Sequence, residues 1–368
     1  MAETALAPPD APPERRERLR ARVRDADAAA LLVTGLANLR YLTGFSGSAG
    51  VLAIGAEGAD FLITDGRYDT QVRQEADPAV DVEIASDPAL VAARRRLAER
   101  GDDRVLFESE HLSVAAWEEW REAEGPALEG VRGWAEELRA IKSPAELDAI
   151  RRAAQIADRA FADILAAIRP GAVEREVALE LERLLVAHGS DGPAFETIVA
   201  FGERSALPHA RPGARRLAPG EIVLIDFGAV VAGYRSDMTR TVALGDPGPE
   251  LRRAYEVVRD AQRAAIEGIV PGMTGREADA LARQPIDAAG LGDRFVHSLG
   301  HGLGLEVHER PRLSKKSADE LLTAMVVTLE PGVYISGLGG VRIEDDVVLQ
   351  PDGVEVLTGA PKETFLIL

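Results

Sequence analysis

The 368-residue sequence predicts two domains, an α/β domain followed by a domain that combines helices with hairpins. In the first part, helical patterns alternate with short apolar runs such as Ala30–Val33, an arrangement typical of α/β domains. Further on, the segment Ser143–Glu146 has the pattern of a capping box and begins a long amphipathic helix. The chain length also suits two cores better than one. We therefore predict three segments: a flexible Ala/Pro tail over residues 1–12, the first domain over 13–140 and the second over 141–368.

The second domain is predicted to begin with two helices and to continue with strands. The first helix extends to about Ile168, and the second follows Gly171. Strands that carry polar motifs start near Phe195, and helices over about 250–269 and 277–289 separate two hairpins. Each of these hairpins carries one pair of acidic residues.

Composition excludes several classes of function. Hydrophobic residues make up 46% of the chain, which favours a well-packed globule, and the net charge of −18 argues against nucleic acid and anionic membranes as partners. There is no cysteine, which fits a reducing cytoplasm. The N-terminus has acidic residues and prolines without the apolar region of a signal peptide, and no apolar run is long enough to span a bilayer. We expect a cytoplasmic protein.

Five side chains in the C-terminal part form the candidate site. They lie in segments that favour rigid structure: Asp226 in VLIDFG, Asp237 in YRSDMTRT, His301 in HSLGHGLG, Glu330 in TLEPG and Glu344 in VRIED. Taken singly, an Asp at a strand end is more often a cap, and a His between glycines is more often a loop residue. Together, four carboxylates and one imidazole carry too much negative charge to be packed without a cation. The set predicts a site for two divalent metal ions.

The spacing of the acidic residues supports this prediction. If the first hairpin is centred between Val231 and Ala232, Asp226 and Asp237 lie directly opposite each other, with Cβ atoms about 5 Å apart. The midpoint between the two glutamates is Gly337, in the glycine-rich turn ISGLGG, so they too are predicted to face each other. Four carboxylates would then converge.

The segments LIDFGA, SDMTRT, HSLGHGLGLEVHE, LEPGVY and VRIEDDV resemble the pita-bread metallopeptidases, and the similarity extends from about residue 141 to the C-terminus. This resemblance implies an α+β pita-bread catalytic domain. It also implies that Asp226 and Asp237 bind one metal ion, that His301 and Glu330 bind the other, and that Asp237 and Glu344 bridge the pair. Glu330 is the carboxylate expected to accept the proton of the attacking water. Family precedent favours Mn²⁺, and the oxygen-rich set would also accept Co²⁺, Zn²⁺ or Fe²⁺.

Other residues resemble the proline-specific branch of that family. His209 in PHARPG and His297 are expected to line a pocket for proline, and His308 is expected to stabilise the oxyanion. For each histidine, an orienting role is an equal alternative. Arg342 alternates with Glu344 along one strand and is expected to support that ligand, with a surface position as the alternative. His111 and His188 are interpreted as ordinary surface or packing residues.

The N-terminal segments ANLRYLTGFSGSAGVLAI and LITDGRYDTQ resemble the domain that aminopeptidase P, prolidase and creatinase share and that methionine aminopeptidases lack. The resemblance therefore implies a creatinase/prolidase-like N-terminal domain and a homodimer. Arg67 in DGRY is either structural or binds substrate across the dimer.

The leading interpretation is an Xaa-Pro aminopeptidase of the aminopeptidase P type, which acts on proline-containing peptides. An Xaa-Pro dipeptidase (prolidase) is the close alternative, because the two activities share a metal site and differ in whether a group binds the carboxylate of proline. An inactive relative that serves as a binding protein is the remote alternative, and the intact set of five candidate ligands argues against it.

Overall fold

The computed structural model describes residues 11–368, which divide into one compact unit that ends at Arg139 and a second that begins at Ala140. Residues 1–10 of the predicted tail lie outside the described residues. Pro12, the last residue of that predicted tail, instead begins the first helix, where a proline is favoured because its missing N–H has no partner to lose. Among the described residues, no helix has both the length and the apolar character needed to cross a membrane.

The N-terminal unit has the expected α/β architecture. Its described strands form one mixed sheet in the order β4-β3-β2-β1-β5-β6. The strands are β1 (Ala30–Val33), β2 (Val51–Gly55), β3 (Phe61–Asp65), β4 (Asp81–Ala85), β5 (Arg104–Glu108) and β6 (Ala127–Val131). The helices are α1 (Pro12–Asp25), α2 (Leu36–Thr43), α3 (Asp69–Glu75), α4 (Ala89–Glu99), α5 (Val114–Glu122) and α6 (Trp134–Ala140). Parallel pairs such as β1 with β5 require helical crossovers, which explains the alternation in the sequence.

The first half of the C-terminal unit packs two helices against an antiparallel sheet. The helices are α7 (Pro144–Ile164) and α8 (Glu174–Ala187). The strands are β7 (Ile198–Phe201), β8 (Glu221–Phe227), β9 (Val230–Val231), β10 (Tyr234–Arg235) and β11 (Met238–Leu244). The predicted capping box is confirmed, because the Ser143 side chain accepts from the Glu146 amide and the Glu146 side chain accepts from the Ser143 amide. The core of this half lies between the helices and β7, β8 and β11.

The second half repeats this plan with α9 (Pro249–Gly268) and α10 (Gly275–Ala288). Its strands are β12 (Gly300–Gly302), β13 (Glu309–Leu313), β14 (Val326–Leu329), β15 (Gly332–Ile335), β16 (Gly339–Arg342), β17 (Asp345–Gln350) and β18 (Gly353–Val356). The described sheet has the order β13-β12-β14-β17-β18, and β15 pairs with β16. Apolar side chains of α9 and α10 pack against this sheet and form a second core. The unit is therefore built of helices and antiparallel sheets, as an α+β fold requires.

Candidate metal centre

The first hairpin differs from its predicted register. Asp226, near the end of β8, pairs with Thr239 in β11, and Asp237 comes just before β11. The turn is centred between Ala232 and Gly233, whose φ values are 51° and 84°, as in the tight turns that match the twist of a hairpin. The prediction that the two aspartates lie directly opposite each other is therefore wrong. They are offset by two residues, which keeps both side chains on one face because that face repeats every second residue.

The second hairpin has the predicted register. Gly332 pairs with Arg342 and Ile335 pairs with Gly339, so the turn is centred on Gly337, whose φ is 77°. The same register continues where β14 pairs with β17. Glu330 and Glu344 therefore face each other. Glu330 lies between β14 and β15 on one arm of the hairpin, and Glu344 lies between β16 and β17 on the other.

His301 lies in the middle of β12, between two glycines that let neighbouring strands approach closely. A Cβ atom on Gly300 would lie 1.9 Å from the Thr328 carbonyl oxygen, and one on Gly302 would lie 2.1 Å from that of Arg310. The His301 Nδ1 lies 3.1 Å from the Gly302 carbonyl oxygen. A carbonyl can only accept, so Nδ1 carries the proton and Nε2 keeps its lone pair. Nε2 is 3.4 Å from Glu330 Oε1 and 3.8 Å from Asp237 Oδ2.

These groups line one cavity of about 530 Å³. The five predicted ligands share it with four further predicted site residues, His209, His297, His308 and Arg342. The five predicted ligands, which are up to about 120 positions apart in the sequence, are thus brought together by the two hairpins and β12.

Burial and mutual repulsion raise the pKa values of the acidic groups in this cavity. Burial, followed by the charge of Glu344, raises the pKa of both Asp237 and Glu330 well above the usual value. Burial, followed by the charge of Asp226, raises the pKa of Glu344 to about 8. Burial and the neighbouring His308 lower the pKa of His301 to about 4, so this imidazole is neutral at pH 7. Such a set takes up protons unless cations neutralise it.

The residues fit the metal ions that the sequence predicts. Asp226 Oδ1 and Asp237 Oδ1 are buried and accept no hydrogen bond from any described residue. Asp237, His301 and Glu344 each offer one ligand atom, and these three atoms lie within 4.8 Å of one another. Carboxylate oxygens and an imidazole nitrogen are suitable ligands for Mn²⁺, Zn²⁺ or Co²⁺, and a cation would satisfy the two orphaned oxygens.

Arg342 is buried beside the acidic residues and does not lie on the surface. It forms an ion pair with Asp226, and its Nε donates to the Thr239 hydroxyl at 2.9 Å. That hydroxyl in turn donates to Glu344 Oε2 at 2.6 Å. Arg342 thus contacts one acidic residue directly and a second through Thr239.

The three additional histidines have different surroundings. His297 Nδ1 donates to the Ser298 carbonyl oxygen at 2.8 Å, and His297 Nε2 accepts from the Tyr334 hydroxyl at 2.8 Å. Because Arg342 can only donate to Tyr334, this hydroxyl must direct its proton at His297. Both ring nitrogens of His297 are therefore engaged, which favours the orienting alternative. His308 packs edge-on against His301 with ring centroids 4.3 Å apart, and His209 is exposed at the cavity.

Three residues at this site were not predicted from the sequence. The buried Asp346 accepts a hydrogen bond from the Asp237 amide at 2.9 Å, and Tyr334 links Arg342 to His297. Arg312, in β13, lines the cavity. Asp346 could have been found, because it continues the alternation that places Arg342 and Glu344 on one face. Arg312 has no comparable local signal.

The remaining predicted residues lie in the N-terminal unit or on the surface. Arg67 is 70% exposed and forms a two-point ion pair with Asp65, at 2.9 and 2.8 Å. His188 contacts Asp163 at 2.8 Å. His111 contacts Glu136 at 2.8 Å, in a cluster that includes Glu108.

That N-terminal cluster is held together by protein donors. The Asn38 amide donates to Glu108 Oε1 at 2.7 Å and to Glu136 Oε1 at 2.5 Å, and the Thr34 and Gly35 amides donate to Glu108 Oε2. Protein donors therefore occupy these carboxylates, in contrast to the orphaned oxygens of the cavity.

Comparison with known proteins supports two domains of known type. A profile described as metallopeptidase family M24 matches residues 148–351, and one described as the creatinase/prolidase N-terminal domain matches residues 15–141. An Xaa-Pro dipeptidase of Pyrococcus furiosus is 47% identical over 227 residues, which cover 62% of this chain and 65% of that protein.

Solved structures are similar over nearly the whole chain. An Xaa-Pro dipeptidase from Bacillus anthracis is 41% identical with a TM-score of 0.93, over 97% of this chain and 100% of that one. An X-Pro aminopeptidase from Thermotoga maritima is 35% identical with a TM-score of 0.89, over 96% of this chain and 99% of that one.

Proposed function

This chain belongs to metallopeptidase family M24, and we propose that it is an Xaa-Pro dipeptidase that uses two divalent metal ions, with Mn²⁺ as the preferred ion. In the sequence analysis, an enzyme of the aminopeptidase P type is the leading interpretation and the dipeptidase is its close alternative. The dipeptidase is now preferred because the similar proteins at 47% and 41% identity are named Xaa-Pro dipeptidases, whereas the aminopeptidase is 35% identical. The charge of Arg312, which lines the cavity, supports the same choice.

Arg312 offers a positive charge at the cavity that no acidic side chain within residues 11–368 pairs with. The other arginines at the cavity have acidic partners, since Arg342 pairs with Asp226 and Arg211 lies 3.4 Å from Glu196. Among the described residues, no acidic side chain pairs with Arg312, although its charge helps to lower the pKa of His308. A dipeptide ends in a carboxylate directly after the scissile bond, and an arginine is well suited to bind it. This available guanidinium is the observation that carries the proposal.

The acidic residues would hold the metal ions in the arrangement that the family implies. Asp226 and Asp237 would bind one ion, His301 and Glu330 the other, and Asp237 and Glu344 would bridge them. Bound divalent ions supply Lewis-acid chemistry, which activates water and polarises a carbonyl group. Glu330, whose Oε1 lies 3.4 Å from the Thr328 hydroxyl, would accept the proton of the water, as the family implies.

The histidines complete the proposed site. Burial, followed by the charge of Arg312, lowers the pKa of His308, so this imidazole is neutral at pH 7 and can donate a hydrogen bond to the oxyanion. Burial, followed by the charge of Arg342, lowers the pKa of His297 to about 4. His297 would form the wall of the proline pocket without donating to the substrate, and His209 would close the exposed side of that pocket.

The test compares dipeptides with tripeptides. We expect the Mn²⁺-loaded protein to hydrolyse Ala-Pro faster than Ala-Pro-Ala, and exhaustive chelation to abolish both activities until Mn²⁺ is restored. Arg312→Met should lower kcat/KM for Ala-Pro by about tenfold to a hundredfold, because a hydrogen bond to a charged group is worth roughly 1.5–3 kcal/mol. The effect on Ala-Pro-Ala should be smaller, because its carboxylate lies one residue farther from the scissile bond.

Arg310→Met provides the matched control. Arg310 lies two residues away in the same strand, pairs with Asp319 and does not line the cavity, so its loss changes the charge equally without removing a cavity side chain. Preferred hydrolysis of Ala-Pro-Ala, with equal losses on both peptides in Arg312→Met, would favour the aminopeptidase instead. A homodimer remains part of the proposal, and light scattering of the purified protein measures it directly.

A further inference from the structure

A buried glutamine of α9 contacts the main chain next to both glutamates of the candidate metal centre. Gln262 is 1% exposed. Its Nε2 lies 3.1 Å from the Leu329 carbonyl oxygen and 3.3 Å from that of Ile343, the residues immediately before Glu330 and Glu344. It lies 2.8 Å from Asp345 Oδ2 as well. The two hydrogens of one amide are thus shared among three acceptors, two of which belong to the facing arms of the glutamate hairpin.

The hairpin needs this external donor because of Pro331. In a hydrogen-bonded pair of an antiparallel ladder, each residue donates to the other. Pro331 faces Ile343, and the Ile343 amide donates to the Pro331 carbonyl oxygen at 3.4 Å. The reciprocal bond cannot form, because proline has no N–H. The Ile343 carbonyl therefore lacks its ladder partner, and the Gln262 amide supplies one.

A second set of contacts fixes the direction of the Gln262 side chain. Asp345, which accepts from Gln262 through Oδ2, pairs through Oδ1 with Arg240 at 2.7 Å. Arg240 also donates to the Glu344 carbonyl oxygen at 2.6 Å. The Thr358 hydroxyl donates to Asp345 Oδ1 at 2.6 Å. The carbonyl oxygens of Ile343 and Glu344, on either side of the Glu344 Cα atom, thereby both accept hydrogen bonds from buried side chains.

We propose that Gln262 is a positioning residue that sets the separation of Glu330 and Glu344 through their main chain, and thereby the affinity of the site for its metal ions. It touches neither a metal ligand side chain nor the cavity. Its effect is transmitted through Leu329 and Ile343, each one peptide unit from a glutamate. The proposal depends on the assignment of these glutamates as ligands under the proposed function, and it is independent of which peptide is cleaved.

The test uses Gln262→Met, which keeps the length of the side chain and removes its donors. We expect this variant to fold and to bind Mn²⁺ about 10–100-fold more weakly than the wild type, the range typical when a residue that orients metal ligands is lost. Binding is measured by titration calorimetry on the full chain, without peptide. The electron paramagnetic resonance spectrum of the Mn²⁺-loaded variant should also lose the signature of an exchange-coupled pair, which a purely structural role would leave intact.

Tyr255→Phe is the control for lost stability alone. The Tyr255 hydroxyl is carried by the same helix and donates to the Lys362 carbonyl oxygen at 2.8 Å, away from the glutamates. It should lower the melting temperature and leave Mn²⁺ affinity unchanged. Wild-type affinity and spectrum in Gln262→Met would overturn the proposal. If that variant does not fold, Gln262→Asn replaces it, because the asparagine side chain is one methylene shorter and its amide no longer reaches the two carbonyl oxygens. Weaker Mn²⁺ binding in Gln262→Asn would support the proposal, and wild-type affinity and spectrum would overturn it.

Wild-type protein that binds two Mn²⁺ ions but does not cleave Ala-Pro would contradict the proposed peptidase activity and leave this inference standing. Wild-type protein that binds no Mn²⁺ would overturn both.

Discussion

Glu344 and Asp345 are neighbours in the chain and equally buried, with 2% and 0% exposure, yet their pKa values move in opposite directions. Burial raises the pKa of both. Around Asp345 this effect is outweighed by Arg240 and Lys362, which hold its pKa below the usual value. Around Glu344 the next influence is another carboxylate, Asp226, and the pKa rises to about 8. The protein thus neutralises Asp345 with its own cations, whereas Glu344 lies in a cavity where the carboxylates outnumber the buried guanidinium of Arg342.

This difference distinguishes a structural carboxylate cluster from a metal site better than the number of acidic residues does. Four hydrogen-bond or ion-pair donors surround Asp345, from Arg240, Gln262, Thr358 and Lys362. In the cavity, buried oxygens of Asp226 and Asp237 have no partner among the described residues. Unsatisfied buried oxygens are costly, so they mark the side that requires an ion.

The largest expected effect comes from removing the charge of Asp345, which the protein neutralises with its own cations. Asp345→Asn should lower the free energy of unfolding by about 3–5 kcal/mol, because it leaves Arg240 buried without its charged partner. Glu344→Gln in metal-free protein should not lower it, and at pH 9 should raise it, because one of several repelling charges is removed. Urea denaturation of both variants after chelation measures the contrast. Equal destabilisation by the two substitutions would contradict it.

A smaller effect is expected from pH. The pKa of Glu344 is about 8 in the folded protein and near 4.5 when unfolded. Between these values Glu344 binds more protons in the folded state than in the unfolded state. The histidines His297 and His301, whose folded pKa values are about 4, act in the opposite direction up to about pH 6.5, so the stability of metal-free protein should fall as pH rises from about 6.5 to 8. Metal binding displaces these protons, so Mn²⁺ affinity should increase over the same window.

Melting temperatures of metal-free and Mn²⁺-loaded protein across this pH range provide the measurement. A metal-free protein that becomes more stable towards pH 8 would show that the cavity carboxylates are neutralised by some other means.

The smallest effect is expected at the exposed ion pair of Arg67. Hydrogen bonds from Arg67 lower the pKa of Asp65 to about 2, but both groups are open to solvent and salt, so the pair contributes little to stability. Arg67→Ala should leave the melting temperature of the protein within experimental error. The ratio of kcat/KM for Ala-Pro to kcat/KM for Ala-Pro-Ala is then compared between variant and wild type. An unchanged ratio would assign Arg67 a structural role. A selective loss on the dipeptide would assign it to substrate binding.

The two hairpins also show what the sequence could and could not specify. The register of Glu330 and Glu344 was predictable, because long apolar arms flank a turn with a single centre at Gly337. The register of Asp226 and Asp237 was not, because the turn places Ala232 at a positive φ, a conformation that residues other than glycine rarely adopt. A turn centre displaced by one residue shifts the pairing by two residues, which changes the partner of Asp226 without changing the face of the sheet.

Long-range contacts were beyond local patterns. Gln262 lies in a helix more than 60 residues before the glutamates that it positions, and nothing in the periodicity of α9 distinguishes it from an ordinary polar residue. Arg312 is similar, since the role proposed for it depends on its lacking an acidic partner among the residues that the structure describes. By contrast, the capping box at Ser143 was predictable, because all of its contacts lie within one helical turn.

The glycines beside His301 have a consequence for how this activity can be lost in evolution. With the Thr328 and Arg310 carbonyl oxygens about 2 Å from where their Cβ atoms would lie, any larger residue at position 300 or 302 must push β12 away from a neighbouring strand. The imidazole would move with the strand. A descendant of this chain could therefore become inactive through a single change that leaves every candidate ligand in its sequence, and it would still look like a peptidase.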